Sequence, residues 1–390
     1  MSDLEAFRAE TRAWLEANCP AEMRTPITDD SMSFNGGRNA TFTSDAQRVW
    51  FERMRDKRWT VPTWPIEYGG GGLDKAHAKV LAQEMKAIGA RAPLESFGIT
   101  MLGPALLKYG THEQKAEHLT KIARGEIRWA QGYSEPNAGS DLAALMTKCE
   151  DMGDHYLVNG QKVWTSYANL GDWIFVLVRT DFEAKKHEGI SFVLIDMDQP
   201  GVEARPIKLI SGKSPFCETF FTDARCEKHN VVGELNKGWS VAKYLLTHER
   251  EMIGGAVLSW GAQRPIHEIA AAQIGLDEDG KLDDPMLRKD IAQLEIDNLA
   301  LMATVERVTD QAKAGQGVGA ESSTLKYTGT EFNKRRYEVL MDCAGHDGLE
   351  WGADEDVAAF WLRMKGNSIE GGTSEVQLNI ISKHVLGLPT

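Results

Sequence analysis

The stretch HYLVNGQKVWTSYANLGDWIFVLVRTD, residues 155–181, changes the period of the chain. It is built from short runs rich in β-branched and aromatic residues, and Asn159-Gly160 is a hairpin-type turn signal. Two further runs, GISFVLIDMD and ETFFTDARC, continue the same texture. Together they predict a β domain over residues 131–235.

Outward from it in both directions the period becomes helical. DAQRVWFERMRDKRW, AHAKVLAQEMKAIGA and THEQKAEHLTKIARGE carry apolar residues at three- and four-residue spacing, and so do long segments at 238–274, 285–314 and 321–343. The expected class is α+β: an N-terminal helical domain over 1–130, the middle β domain, and a C-terminal helical bundle over 236–390. Helical blocks flanking a small β domain create clefts, where ligand sites are favoured.

A chain of 390 residues can bury a sizeable core. Its formal charge is −13 without a basic cluster, which argues against nucleic acid and anionic membranes as partners. The longest apolar run, WIFVLV at 173–178, is far too short to span a bilayer, and nothing reads as a signal peptide. The five cysteines are scattered and form no CxxC pair. That pattern predicts reduced thiols in a cytoplasmic protein and no metal site. Gly69–Gly72 lacks the Lys-Ser/Thr of a phosphate-binding loop, DEDGKLDD at 277–284 lacks EF-hand spacing, and no serine sits in a GxSxG elbow.

The richest stretch for chemistry is QGYSEPNAGSDLAA, residues 131–144. Its hydroxyls and Gly139 can offer donors and close backbone approach to a ring system or a phosphate. With WPIEYGGGG before it, NGQKVWTSYANLGDW after it and GGTSEVQLNIISKHVLGLP closing the chain, the sequence resembles the acyl-CoA dehydrogenase family along nearly its whole length. The resemblance implies three domains ending in a four-helix bundle, a tetramer, and FAD lying between the middle and C-terminal domains. By position it implies flavin or pyrophosphate contacts from Tyr133, Ser134, Gly139 and Ser140, from Trp164, Thr165 and Ser166, and from Thr373 and Glu375. Ser140 also matches a residue near the CoA. The implied reaction is α,β-dehydrogenation of an acyl-CoA, with electrons passing to an electron-transfer flavoprotein. The scaffold also hosts flavin oxidases, and a partner subunit with a degenerate site is an alternative reading.

The base must be a carboxylate facing the substrate α-carbon. In the common pattern a Glu directly precedes Gly-Thr. Here that position is Gly371, and Glu370 stands one residue early, which re-aims a side chain. Another branch of the family carries the base on a C-terminal-domain helix immediately before an arginine. YLLTHEREMIGGAV, residues 244–257, matches it, so Glu249 is the candidate base, Glu370 the alternative, and Arg250 a substrate contact or orienting residue. Glu249 shares a helical face with Leu245, Leu246, Met252 and Ile253, and an acid on such a stripe is costly unless used or paired. ESFGITMLGPALL, residues 95–107, is the candidate acyl end, with Met101 and Gly103 setting its depth.

Three departures stand out. The stretch AAQIGLDEDGKLDDP, residues 271–285, lacks the arginine with which family members reach the FAD pyrophosphate of a neighbouring subunit. MDCAGHDG keeps only Gly345 of a Gln-x-x-Gly-Gly element, and Leu378 replaces a common arginine. Either FAD has fewer contacts, or a different subunit supplies them, as in two-component members acting on steroid side chains.

Overall fold

The computed structural model describes residues 3–27, 30–246, 265–314, 319–351 and 357–389. They fall into two compact units, one of Met1–Pro206 with Phe216–Leu246, the other of Ile207–Pro215 with Thr247–Thr390.

The first unit opens with helices α1 (Asp3–Asn18), α2 (Asp45–Asp56) and α3 (Lys75–Ala87). Ser44 and Asp74 cap α2 and α3 by accepting first-turn backbone N–H groups. Glu84 of α3 is buried and paired with Arg8 and Arg12 of α1, so an ion pair as well as apolar packing joins these helices. A π turn, Gly98–Leu102, leads into α4 (Gly103–Tyr109). The next helical run is α5 (His112–Gln114), a second π turn (Lys115–Leu119) and α6 (Thr120–Ala123). Thr111 and Gln114 form a capping box at its start.

Seven strands follow: β1 (Trp129–Gly132), β2 (Lys148–Asp151), β3 (His155–Ser166), β4 (Trp173–Arg179), β5 (Ile190–Asp196), β6 (Val202–Ile207) and β7 (Phe216–Glu227). Their order is β1-β4-β2-β3-β7-β6, with β5 on the other edge of β4. Strands β4 and β5 are buried on both faces, which is why WIFVLV reads as a continuous apolar run and not as an alternation. Phe175, Leu177, Phe192 and Leu194 join the core shared with Leu102, Leu106 and Ile122. Ile174, Val176, Val193 and Ile195 join a second core with Val158, Cys217, Phe221 and Cys226. A helix starting at residue 238 ends the unit and is described to residue 246; we call it α7. Gly238 starts it because a Cβ there would collide with the backbone of Ser191 and Phe192.

The second unit contains α8 (Ile266–Ile274), α9 (Pro285–Lys313), α10 (Glu321–Ala344), α11 (Val357–Met364) and α12 (Ser374–Ile380). Asp284 accepts from the N–H groups of Met286 and Leu287 at 2.9 Å, with Pro285 at the first helical position. One apolar core joins Ile266 and Ala270 of α8, Leu287, Ile291 and Leu294 of α9, and Val339, Leu340 and Cys343 of α10. Among the described residues no helix is long and apolar enough to cross a membrane.

His118, on the second π turn, has no solvent exposure. Its ring packs edge-on to Trp129 and Trp173, with centroids 5.3 and 5.0 Å away. Neither ring nitrogen has a hydrogen-bond partner among the described residues. Burial pulls its pKa down to about 4; Glu117 opposes this, while Lys121 and His229 add to it. The unfolded chain therefore binds a proton near pH 6.5 that the folded chain does not. Stability should be intact above about pH 6.5 and fall by up to about 3 kcal/mol as the pH approaches 4. Urea unfolding of wild type and His118→Leu at pH 7.5 and 5.0 tests this. The variant should lose less stability on acidification, and equal losses would refute the assignment.

Candidate active site

The segment Tyr133–Thr147 follows β1 without a strand of its own until β2 begins at Lys148. Glu135 and Ala138 exchange backbone hydrogen bonds of 3.0 Å in both directions, so Pro136 and Asn137 form a tight turn. Beneath that turn the Glu135 carboxylate is buried. It accepts from the N–H groups of Met146 (2.7 Å) and Thr147 (2.9 Å) and from Lys162 Nζ (2.7 Å). Lys162, on β3, is fully buried and donates a second bond to the Tyr133 carbonyl at 3.1 Å. Burial pulls the Lys162 ammonium down to about 8, and Glu135 resists that fall. Burial alone would raise the Glu135 pKa, but Lys162 and the hydrogen bonds outweigh it and hold it below its ordinary value. Both groups are charged at neutral pH.

Strand β3 carries a register shift between Lys162 and Thr165. At that bulge Trp164 adopts φ 61° and turns its indole outward, 55% exposed, against the edge of Phe216 at 5.9 Å. Large aromatic side chains rarely occupy this left-handed region, so the local fold holds Trp164 there at a cost. Ser134 and Ser166 are half-buried, and the Ser134 carbonyl accepts from Val163 N–H at 2.9 Å. Val163 thereby joins the stretch 133–134 to the one that runs on into 164–166.

Other expected site residues are placed differently. The Tyr133 ring is buried, edge-on to Phe175 and Phe192. The Thr165 side chain faces inward and bonds Cys217 O at 2.9 Å and Thr219 Oγ1 at 2.7 Å. Gly139 and Ser140 are exposed, and a Cβ on Gly139 would meet nothing, so packing within the chain does not require glycine there. Met101 is buried in the main core beside Leu102 and Leu245. Gly103 lies against Trp64, whose indole a Cβ would strike.

In the second unit Gly371 and Gly372 have φ 65° and 93°, and Thr373 caps α12 by accepting from Val376 N–H. The turn is held from below. Lys326 Nζ on α10 donates to Gly372 O at 2.7 Å, and buried Gln377 donates to Gly371 O and Gly372 O at 3.2 and 3.3 Å. Glu375 is exposed beside it. The alternative base, Glu370, is engaged on both oxygens, by Arg363 and by Asn367, each at 2.7 Å. Glu249 and Arg250 lie outside the described residues.

Sequence reasoning missed Glu135, Lys162, Lys326 and Gln377. A signal existed for Lys162. Counting by twos from buried Tyr156 and Val158 puts it on the inward phase of β3, where a lysine demands a partner.

Models of the acyl-CoA dehydrogenase N-terminal, middle and C-terminal domains match residues 2–126, 130–224 and 236–386. The acyl-CoA dehydrogenase IpdE1 of Mycolicibacterium smegmatis is 35% identical, covering 100% of this chain and 99% of that protein. A solved structure described as the Tcur3481-Tcur3483 steroid ACAD aligns with TM-score 0.76 and 30% identity over 99% of this chain and 97% of its own. The ChsE4-ChsE5 complex from Mycobacterium tuberculosis aligns with TM-score 0.73 and 29% identity over 100% and 98%.

The Gly-Gly turn supplies a stability test. At Gly372 a Cβ would sit 2.5 Å from Gln377 Nε2, in a backbone conformation that L residues avoid. Gly372→Ala should cost about 1–3 kcal/mol, read as a lower melting temperature. An unchanged melting temperature would mean that the turn relaxes freely.

Proposed function

This chain belongs to the acyl-CoA dehydrogenase family, and we propose that it dehydrogenates an acyl-CoA thioester between the α and β carbons, giving the trans-2-enoyl-CoA. The family binds FAD, which when bound accepts the hydride from the β-carbon. The residues present fit such a group. The observation that carries this reading is Trp164, a strained indole held more than half exposed at the bulge of β3, directly after Val163, whose N–H bonds the Ser134 carbonyl. An apolar wall of this kind excludes water from a ring placed against it. The backbone at Tyr133 and Thr165 and the hydroxyls of Ser134 and Ser166, with the Trp164 indole, are the proposed flavin contacts on the first unit, with Gly139 and Ser140 toward the phosphates or CoA. Thr373 and Glu375 are the proposed contacts on the second. Met101 and Arg250 are proposed to meet the substrate, and the division at residues 130/131 and 235/236 is part of the same reading.

Glu249 is the proposed base. It stands four residues after buried Leu245 in the sequence, the spacing at which two residues share a face wherever a chain is helical. Withdrawal from water would raise its pKa and suit it to take an α-proton from a thioester whose carbonyl is polarised by hydrogen bonds. Glu370 is the weaker candidate, because Arg363 and Asn367 already occupy both oxygens of its carboxylate. Glu249→Gln should keep FAD and slow its anaerobic bleaching by acyl-CoA about 10²–10⁴-fold, while Glu370→Gln bleaches near the wild-type rate. The opposite pattern would move the base to Glu370.

A two-chain assembly is favoured by a specific observation. Arg288, the first arginine after α8 in sequence, donates to the Leu282 carbonyl of its own loop at 3.2 Å. Residues 265–287 contain no arginine to offer a pyrophosphate. The steroid ACAD and ChsE4-ChsE5 neighbours are described with two chain names each. We therefore read the chain as one subunit of a tetramer whose partner chain completes FAD binding, acting on a steroid-derived or similarly bulky acyl-CoA and passing electrons to an electron-transfer flavoprotein. Five free, buried cysteines favour a reducing compartment, the cytoplasm. Expressed alone, the chain should hold well under one FAD per subunit, and co-expression with a second family chain should restore it. Stoichiometric FAD in the isolated chain would support the homotetramer.

A further inference from the structure

We infer that the buried Glu135–Lys162 pair is a positioning element that locks the two flavin-facing stretches, 133–134 and 164–166, to one another. The inference rests on the reading above, that these stretches meet the flavin. Three backbone groups converge on the pair, the Tyr133 carbonyl and the N–H groups of Met146 and Thr147, and they lie at the two ends of the segment that carries proposed contacts. Lys162 Nζ bridges Glu135 Oε1 at 2.7 Å and Tyr133 O at 3.1 Å, just past the end of β1. Glu135 holds the far end of the signature segment through Met146 N–H and Thr147 N–H. Next in sequence to Lys162, Val163 N–H donates to Ser134 O, and the bulge that turns Trp164 outward follows at once.

Stability alone is a poor account of this arrangement. Replacing a buried ion pair by apolar side chains of similar volume is often neutral or stabilising, because two desolvated charges recover little net energy. What apolar groups cannot do is impose direction: an ammonium with two fixed acceptors fixes where the Tyr133 carbonyl sits relative to β3. Arg179 acts in the same way one layer away. Buried, it donates to Ala143 O at 2.7 Å and to Lys186 O and Glu188 O at 3.2 and 3.1 Å, tying the 143–145 backbone to the loop before β5. The segment 133–147 is clamped at its start by Lys162 and near its end by Glu135 and Arg179, and it is exposed at Pro136–Asn137, Gly139–Asp141 and Met146.

The test compares wild type, Lys162→Met, Glu135→Gln/Lys162→Met and Glu135→Asp, each with whatever partner chain FAD loading requires. Three quantities are read: apoprotein melting temperature, FAD dissociation constant, and the visible absorption bands of bound flavin. Lys162→Met leaves a carboxylate unpaired and should melt lower. The double variant should recover much of the melting temperature yet bind FAD roughly tenfold more weakly, with shifted flavin bands. A double variant with wild-type FAD affinity and spectrum would overturn the inference and leave the pair a fold stabiliser. If the double variant does not fold, Glu135→Asp decides. It keeps the charge and shortens the reach, so weaker FAD binding at near-normal melting temperature supports positioning, and unaltered binding refutes it.

A cofactor-free readout separates this inference from the functional reading. Acrylamide quenching of Trp164 fluorescence, taken as the difference from a Trp164→Phe background, should increase in the apo double variant, or in Glu135→Asp if the double variant does not fold. Unchanged quenching in that variant overturns the inference. If wild type takes up no FAD with any partner, the functional reading fails, and the quenching result still decides whether the pair orders the bulge.

Discussion

Strands β4 and β5 have no face toward water, and the first unit is organised by that constraint. Even-numbered residues of β4 pack into one core and odd-numbered ones into another, so a single strand pair is the shared wall of two apolar interiors. The stacked rings of Phe175 and Phe192, at 5.8 Å, carry the helical side of this wall. Because Tyr133 packs its ring against both, the signature segment leaves β1 from a position already set by the core. The bulge in β3 is placed in turn by its pairing with β7, whose inward residues Cys217 and Phe221 belong to the second core. The exposed Trp164 is thus anchored to the best-packed part of the unit.

A second theme is the use of buried polar side chains as struts for irregular backbone. Turns carry carbonyl and N–H groups that helices and sheets leave unpaired, and burying them without partners is costly. Lys162, Arg179, Lys326 and Gln377 each answer this by donating to carbonyls of a turn or loop, and Glu135 by accepting from two N–H groups. The struts lie under the two segments that match the family's flavin contacts, 133–147 and 371–375. Burial lowers the Lys326 pKa just as it lowers that of Lys162, which is the electrostatic cost of aiming a charged donor at a carbonyl. Lys162 has a bonded carboxylate, whereas the carboxylates of Glu370, Glu331 and Glu375 act on Lys326 through their field. Both of these turns are therefore held by buried charged donors.

The same logic separates the two acids raised by the sequence. Glu370 occupies a turn of high polar density, where Arg363 and Asn367 hydrogen-bond both of its carboxylate oxygens. A base that must accept a carbon-bound proton gains from the opposite surroundings, few donors and little water. Glu249, four residues after buried Leu245 in a sequence rich in apolar residues, remains the proposed base on chemical grounds.

The amino-acid sequence by itself determined the class of the fold and the order of its parts. Period 2 between residues 131 and 235 and period 3.6 on either side are local properties, set by which side chains must share a face. Helices α9 and α10 accordingly fall within a residue of the segments read from the sequence. The signature and the stretch around Trp164 were also legible, because residue types in fixed order carry that information. Tertiary structure alone decided how each residue is used. It turned Tyr133 and Thr165 inward and Trp164 outward, made Gly103 a rest for the Trp64 indole, and engaged Glu370 with Arg363. It also joined Glu135 to Lys162 across twenty-seven residues of chain. None of these follows from periodicity, because a bulge resets the phase of a strand and a buried charge is explained only by the partner that folding brings to it.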